Sequence, residues 1–146
     1  YVVDIDELRE RLVGRELPGG SFSVPPYESW LMSDVLCSPP LPEGVLHPTY
    51  VFHAGMRGVG FDIASLLDLV HCRPEDGPMI GETDLRQVRP LRVGETLRGS
   101  ARVVDLVRKR GRSGVFDLMR VETAIRDEQG SAVAFLTNTY VFPRRS

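Results

Sequence analysis

The sequence predicts an α+β fold in which one long helix is wrapped by a strongly curved antiparallel sheet. Two observations carry this. Residues 47–70, HPTYVFHAGMRGVGFDIASLLDLV, read as a single helix with Val51, Phe52, Met56, Val59, Phe61, Ile63, Leu66, Leu67, Leu69 and Val70 spread over most of its faces. A helix that is apolar nearly all round is buried rather than laid on a surface. Residues 79–142 then read as successive strands. Strands of about twelve residues exceed the usual five or six and suit a sheet that wraps a helix. Gly55, Gly58 and Gly60 fit the same picture. Each costs roughly 0.5–1 kcal/mol in a helix interior relative to Ala, which makes sense where another backbone comes close. His53, Arg57, Asp62 and Asp68 interrupt the run and exclude a membrane span, because charge at that depth is costly.

The 146 residues suit one domain, 1–146. A net charge of −2 gives no reason to expect nucleic acid as a partner. No signal-peptide pattern opens the chain, and two cysteines, Cys37 and Cys72, form no disulfide framework, so the expected location is a reducing cytoplasm. The short basic end after Phe142 reads as a terminus.

Taken in order, 1–14 holds an N-terminal amphipathic helix over 4–13, with Ile5, Leu8 and Leu12 on one face. Asp4 is its N-cap, Glu7 completes a capping-box pattern and Gly14 ends it. Phe22 and Val24 alternate with serines in a short strand closed by Pro25 and Pro26. Residues 27–37 form a short helix offering Trp30, Leu31, Val35 and Leu36 for burial, and the Pro-rich stretch 37–44 is a loop, either a connector or the edge of a ligand entrance. After the central helix come strands at 79–89, 96–108, 115–126 and 131–142, with turns at Pro90 to Gly94, in the basic KRGRSG stretch and in DEQG. In the third strand Val115, Met119, Val121, Thr123 and Ile125 share one face. In the fourth, Ala134, Leu136, Tyr140 and Phe142 share one face against Val133, Phe135 and Val141.

Strand, small helix, long helix and long strands is the order of the hot-dog fold. Residues 82–142 resemble the MaoC-like (R)-specific hydratase and dehydratase superfamily, and specifically its N-terminal type, found as the first half of two-domain hydratases and as the non-catalytic subunit of heterodimeric dehydratases. The segments that carry the likeness are Arg89-Pro90-Leu91-Arg92-Val93-Gly94-Glu95-Thr96-Leu97, the turn at 127–130, Phe142-Pro143-Arg144, and Leu46-His47-Pro48-Thr49-Tyr50 before the helix. The resemblance implies a hot-dog domain paired as a homodimer or heterodimer with another hot-dog chain. It implies an acyl thioester of coenzyme A or an acyl carrier as ligand, and no cofactor. Catalytic relatives add water to a trans-2-enoyl thioester with an Asp and a His in an Asp-x-x-x-x-His segment, helped by a backbone N–H at the thioester oxygen.

Here the acid is missing. Pro42 stands five residues before His47, Pro48 before His53 and Leu66 before His71. The expected role is therefore the non-catalytic, acyl-binding half of an enoyl thioester hydratase or dehydratase (a lyase). The alternatives are a self-sufficient homodimeric hydratase or thioesterase with an atypical site, and a non-enzymatic acyl-binding protein.

For an atypical site the candidates are His47 or His53 with Asp62 or Glu82, since general-base chemistry needs the pair within hydrogen-bond reach. The plainer reading makes His47 a loop anchor and His53 a satisfied buried polar group. Pro48, Tyr50, Phe52, Met56, Val59 and Ile63 are candidates for lining an acyl tunnel, or are plain core. Arg108, Lys109, Arg110 and Arg112 are candidates for the coenzyme phosphates, with Arg144 and Arg145 behind them, or a solvated turn. Cys37, His71 and Cys72 lack the close ligand pairs of a zinc site, so no metal is expected. His71 reads as a cation in the last turn of the helix.

Overall fold

A computed structural model describes residues 3–39, 41–57 and 62–145. The elements are α1 (Ile5–Leu12), β1 (Glu16–Ser23), α2 (Pro26–Val35), α3 (Tyr50–Arg57), α4 (Ile63–Leu69), a 3-10 turn (Pro74–Asp76), β2 (Met79–Gln87), β3 (Thr96–Gly111), β4 (Gly114–Arg126) and β5 (Ala132–Arg144). The five strands form one sheet in the order β1-β3-β4-β5-β2, and each neighbouring pair is antiparallel. The helices cover one face. Among the described residues no helix is long and apolar enough to cross a membrane.

The period-2 alternation places the core. On β4 the face carrying Met119, Val121, Thr123 and Ile125 is buried, and it also carries Asp117. On β5 the buried face carries Leu136, Asn138, Tyr140 and Phe142. Two apolar clusters result. One joins α1 and α4 to Leu17, Val103, Leu106, Met119 and Phe142. The other joins Tyr50, Val51 and Ala54 of α3 to Phe22, Leu46, Leu91, Leu97, Ile125 and Val133.

The single helix expected over 47–70 is two helices. Asp62 is extended (φ −87°, ψ 174°), and its carboxylate accepts the Ser65 N–H at 2.8 Å, so it starts α4 as an N-cap. Val59, with Gly58, Gly60 and Phe61, lies outside the described residues. Gly55 is packed tightly, but by a side chain rather than a backbone: a Cβ there would sit 2.0 Å from Leu136 Cδ2.

The apolar side chains of α2 are not buried. Trp30 is 67% and Val35 77% exposed, with Leu31 and Leu36 also open to solvent. Only Met32 packs partly on the second cluster, and polar contacts described below add to its hold. The first strand is longer than expected, from Glu16, because it pairs along β3 past a bulge between Leu17 and Gly20. The basic stretch expected as a turn is mostly strand: pairing runs to Gly111↔Gly114, leaving Arg112 and Ser113 as the loop. α1 begins at the Asp4 cap, which accepts the Asp6 and Glu7 N–H groups, and ends before Gly14 at φ +84°. At the turn expected over 127–130, the Asp127 carboxylate accepts the Gln129 and Ser131 N–H groups and Gly130 takes φ +81°.

Candidate functional site

The approach to α3 is stitched to the loop before β3. Leu46 donates to the Leu91 carbonyl at 2.9 Å, and Val93 donates to the Gly44 carbonyl at 2.8 Å. That loop is locked by charge. Arg89 forks onto the Glu95 carboxylate and lies 3.5 Å from Asp127, while Gly94, at φ +77°, donates to the Val24 carbonyl. The Arg-Pro-x-x-x-Gly-Glu pattern of the sequence is thus a brace that fixes the start of α3. A bidentate Arg–carboxylate pair gives a fixed geometry that a single contact cannot.

His47 is committed to this turn. Its Nδ1 lies 2.8 Å from Thr49 Oγ1 and accepts the Thr49 N–H at 3.2 Å. A ring nitrogen that accepts from a backbone amide carries no proton there, so the imidazole is a loop anchor. His53, one turn into α3, is exposed, with its ring against Tyr50 and Phe52 at centroid distances of 5.7 and 5.6 Å. It is not the buried polar group the plainer sequence reading allowed. Among the described residues no hydrogen bond or ion pair joins His47 or His53 to a carboxylate. Asp62 instead caps α4, and the Ser65 backbone N–H holds its carboxyl below the usual value. Glu82 lies exposed on β2.

A polar cluster that the sequence did not disclose sits where α2 meets α3. Tyr50 OH donates to Glu28 Oε2 at 2.6 Å, and Arg57 Nη1 donates to the same oxygen and to the Tyr50 oxygen, both at 2.9 Å. The guanidinium also lies over the Phe22 ring at 5.3 Å. Burial, and then the Glu28 carboxylate, push the Tyr50 phenol above its usual pKa. This cluster ties α2 down. With the loop after it, α2 borders an open groove of about 900 Å³ that includes Trp30, Cys37, Leu41, Pro42 and Val93.

The tunnel candidates separate. Tyr50 belongs to the polar cluster, Phe52 is half-buried and Pro48 is exposed. Met56 and Ile63 meet at a partly open cavity of about 30 Å³, lined also by Leu17, Leu66, Val121 and Tyr140 with Asp62 at its edge. Space of this size holds about one water. Met56 Sδ fills the volume beside it and is the hydrogen-bond acceptor for Asn138 Nδ2 at 3.7 Å and Tyr140 OH at 3.8 Å. A thioether is a weak acceptor and methionine an adaptable filler, so this side chain can be displaced at low cost.

Of the basic candidates, Arg108 is taken. It forks onto the fully buried Asp117 at 2.8 and 3.1 Å, and Arg144 Nε reaches the same carboxylate at 2.7 Å. Lys109, Arg110 and Arg112 are exposed. They sit at the end of the sheet where Val115 pairs with Arg144, whereas α3 starts beside Ala134. From Ala134 to Arg144 the strand covers about 33 Å at the usual rise per residue. The basic hairpin therefore lies at the opposite end from His47 and His53 of the same chain.

Among the described residues no three His, Cys, Asp or Glu side chains gather as a metal site. Cys72 is buried, which pushes its thiol up, and Cys37 is exposed. His71 is not in the last turn of a helix: it follows α4 in the left-handed region at φ +52°, with its Nε2 3.2 Å from Arg11 Nη2.

Comparison with known proteins assigns this architecture. The family model "FAS1-like, dehydratase domain region" matches residues 43–136, more than half of the chain. No curated protein matches significantly. Among solved structures, the ChsH1-ChsH2 complex from Mycobacterium tuberculosis superposes with a TM-score of 0.69 at 14% identity, covering 97% of this chain and 91% of that one. The HadBC (3R-hydroxyacyl-ACP dehydratase) complex from the same organism gives a TM-score of 0.66 at 13% identity, covering 97% and 99%. A MaoC-like dehydratase from Rhodospirillum rubrum gives 0.55 at 18% identity, covering 94% and 97%. At these identities the superpositions establish the α+β hot-dog fold. The chain belongs to the FAS1-like dehydratase-region family and has the hot-dog fold.

Proposed function

We propose that this chain is the non-catalytic, acyl-binding half of a two-chain (R)-specific enoyl thioester hydratase or 3-hydroxyacyl thioester dehydratase. The observation that carries the reading is at the start of α3. His47 anchors the loop through Nδ1 and has no carboxylate bonded to it, His53 faces solvent with none either among the described residues, and Asp62 caps the next helix. The acid and base that place water on C3 of the enoyl thioester and a proton on C2 would come from a second hot-dog chain.

Two further features support pairing and acyl binding. β2 is an edge strand, exposed along all nine residues, and carries Met79, Ile80 and Leu85 open to solvent, with Val88 just beyond. A long exposed edge with apolar side chains invites another strand. The ChsH1-ChsH2 and HadBC relatives are themselves complexes. The cavity at Met56, Ile63 and Tyr140 supplies the apolar end of an acyl site, which Met56 would vacate. The thioester rides on coenzyme A or an acyl carrier, and a reducing cytoplasm suits the free thiols of Cys37 and Cys72.

The test is hydration of crotonyl-CoA and longer enoyl-CoA substrates, followed by loss of the enoyl absorbance. The purified chain is assayed alone and coexpressed with a hot-dog chain that carries Asp-x-x-x-x-His. Turnover only in the complex supports the reading. Turnover by the chain alone, lost in His47→Ala or His53→Ala, overturns it in favour of a self-sufficient enzyme.

A further inference from the structure

Two buried donors on β5 converge on one weak acceptor. Asn138 is 3% exposed and Tyr140 9%, and both stand on the inner face of the sheet between Leu136 and Phe142. Asn138 Nδ2 donates to Met56 Sδ at 3.7 Å, and Tyr140 OH donates to the same sulfur at 3.8 Å. Thr83 Oγ1 donates to Asn138 Oδ1 at 2.8 Å, which leaves the amide NH2 facing Met56. Buried polar groups are ordinarily well satisfied, yet the acceptor shared here is a thioether, which accepts weakly. The rest of this face is apolar at Met119, Val121, Leu136 and Phe142. Leucine and phenylalanine at 138 and 140 would fill similar space without any polar cost, so packing alone does not call for these two donors.

Both donors adjoin the cavity beside Met56. Tyr140 lines it, and Asn138 pairs across the sheet with Val121, which also lines it. The methionine side chain has three rotatable bonds, so turning the thioether aside adds its volume to the cavity and leaves both donors aimed at one point. A carbonyl oxygen placed there has two lone pairs for them and accepts better than sulfur. Burial pushes the Tyr140 phenol above its usual pKa, so it remains a donor.

We propose that Asn138 and Tyr140 clamp a ketone or hydroxyl oxygen carried on the acyl chain away from the thioester, and that this oxygen displaces Met56. The substrate class is then an oxygenated acyl thioester, which rests on the function proposed above. The position of the oxygen follows from the helix. The thioester would lie at the start of α3, at Tyr50, and Met56 stands near the other end. The axial distance between them is about 9 Å at the usual helical rise, which an extended acyl chain spans by about its eighth carbon. The thioester's own oxygen would be out of reach of the clamp.

The test is isothermal titration of the coexpressed two-chain complex with decanoyl-CoA, 8-oxodecanoyl-CoA and 4-oxodecanoyl-CoA. The two ketones have the same composition and differ only in where the oxygen sits. The expected result is that the 8-oxo chain binds at least tenfold tighter than the 4-oxo chain, and that Tyr140→Phe in this chain brings the ratio below threefold. Phenylalanine keeps the ring that stacks on Phe142 at 6.0 Å between centroids, and a packing defect would weaken both ketones together without changing their ratio. The ratio in the unmodified complex is a test by itself. Binding of all three with no preference between the ketones overturns the clamp and leaves the acyl-binding function standing. A preference that survives unchanged in Tyr140→Phe also overturns it. Binding of none of the three overturns the clamp and the acyl-binding function together.

Discussion

Asp117→Asn tests the polar heart of the sheet. The substitution keeps shape and one acceptor oxygen but removes the charge and turns an amide NH2 toward N–H donors of Arg108 and Arg144. Arg144, 7% exposed, has no route to water for its freed Nε–H, and Arg108, at 20%, has a partial one. Removing one partner of a buried ion pair costs about 3–5 kcal/mol, and leaving two cations unneutralised places this case toward the upper end. A chain of this length loses about 0.3 kcal/mol per degree near its melting point, so a loss of about 4 kcal/mol lowers Tm by roughly 13 °C. Arg108→Ala leaves Asp117 paired with Arg144 and should cost clearly less. Urea titration followed by circular dichroism reads both as shifts in midpoint at constant slope. A loss below about 1 kcal/mol for Asp117→Asn, or equal losses for the two variants, refutes the view that Asp117 is the common anchor of both arginines.

Further outcomes follow from the helices and the acids. Gly55→Ala sets a Cβ against Leu136 Cδ2 at 2.0 Å, so Leu136 must turn away, and the expected cost is about 1–3 kcal/mol by the same titration. Glu28→Gln weakens the link between α2 and α3, and amide hydrogen exchange over Pro26–Val35 should speed up at least tenfold while β4 is unaffected. The Asp62 and Asp76 carboxyls are held below their usual value of 3.8, by the Ser65 backbone N–H and by the Arg73 side chain respectively. A depressed folded pKa means the contribution is complete above the unfolded value and lost as pH falls through the folded one. Asp62→Asn/Asp76→Asn should therefore lower the urea midpoint at pH 6 more than at pH 3.

The sheet was legible because alternation with period 2 is a local signal: it put Met119, Val121 and Ile125 on one face of β4 and Leu136 and Phe142 on one face of β5, and the structure buries all five. Asp117 sits on that same apolar face but could not be read as an anchor. Its partners lie nine residues before it and 27 after it, and only strand pairing brings them together. The break at Asp62 was masked by continuous apolar character, although Asp62 three residues before Ser65 is a local N-cap signal. The exposure of Trp30 and Val35 on α2 was not legible, because apolar composition says what can be buried and not whether a covering surface exists. The Arg89 to Glu95 segment was recognised as a family feature, and its physical reason, a salt-bridged loop fixing the start of α3, needed Asp127 and Val24 from elsewhere in the chain.

The central claim is that the catalytic acid and base are not in this chain. Its most direct test is kcat for enoyl-CoA hydration by the two-chain complex carrying His47→Ala/His53→Ala here. The expected result is kcat within about threefold of the unmodified complex, with any change confined to stability near Thr49, against a drop of several orders of magnitude when the other chain loses its Asp or His. A loss on the order of 100-fold, about 2.7 kcal/mol of transition-state stabilisation, from the His variants of this chain would place the chemistry here and contradict the account.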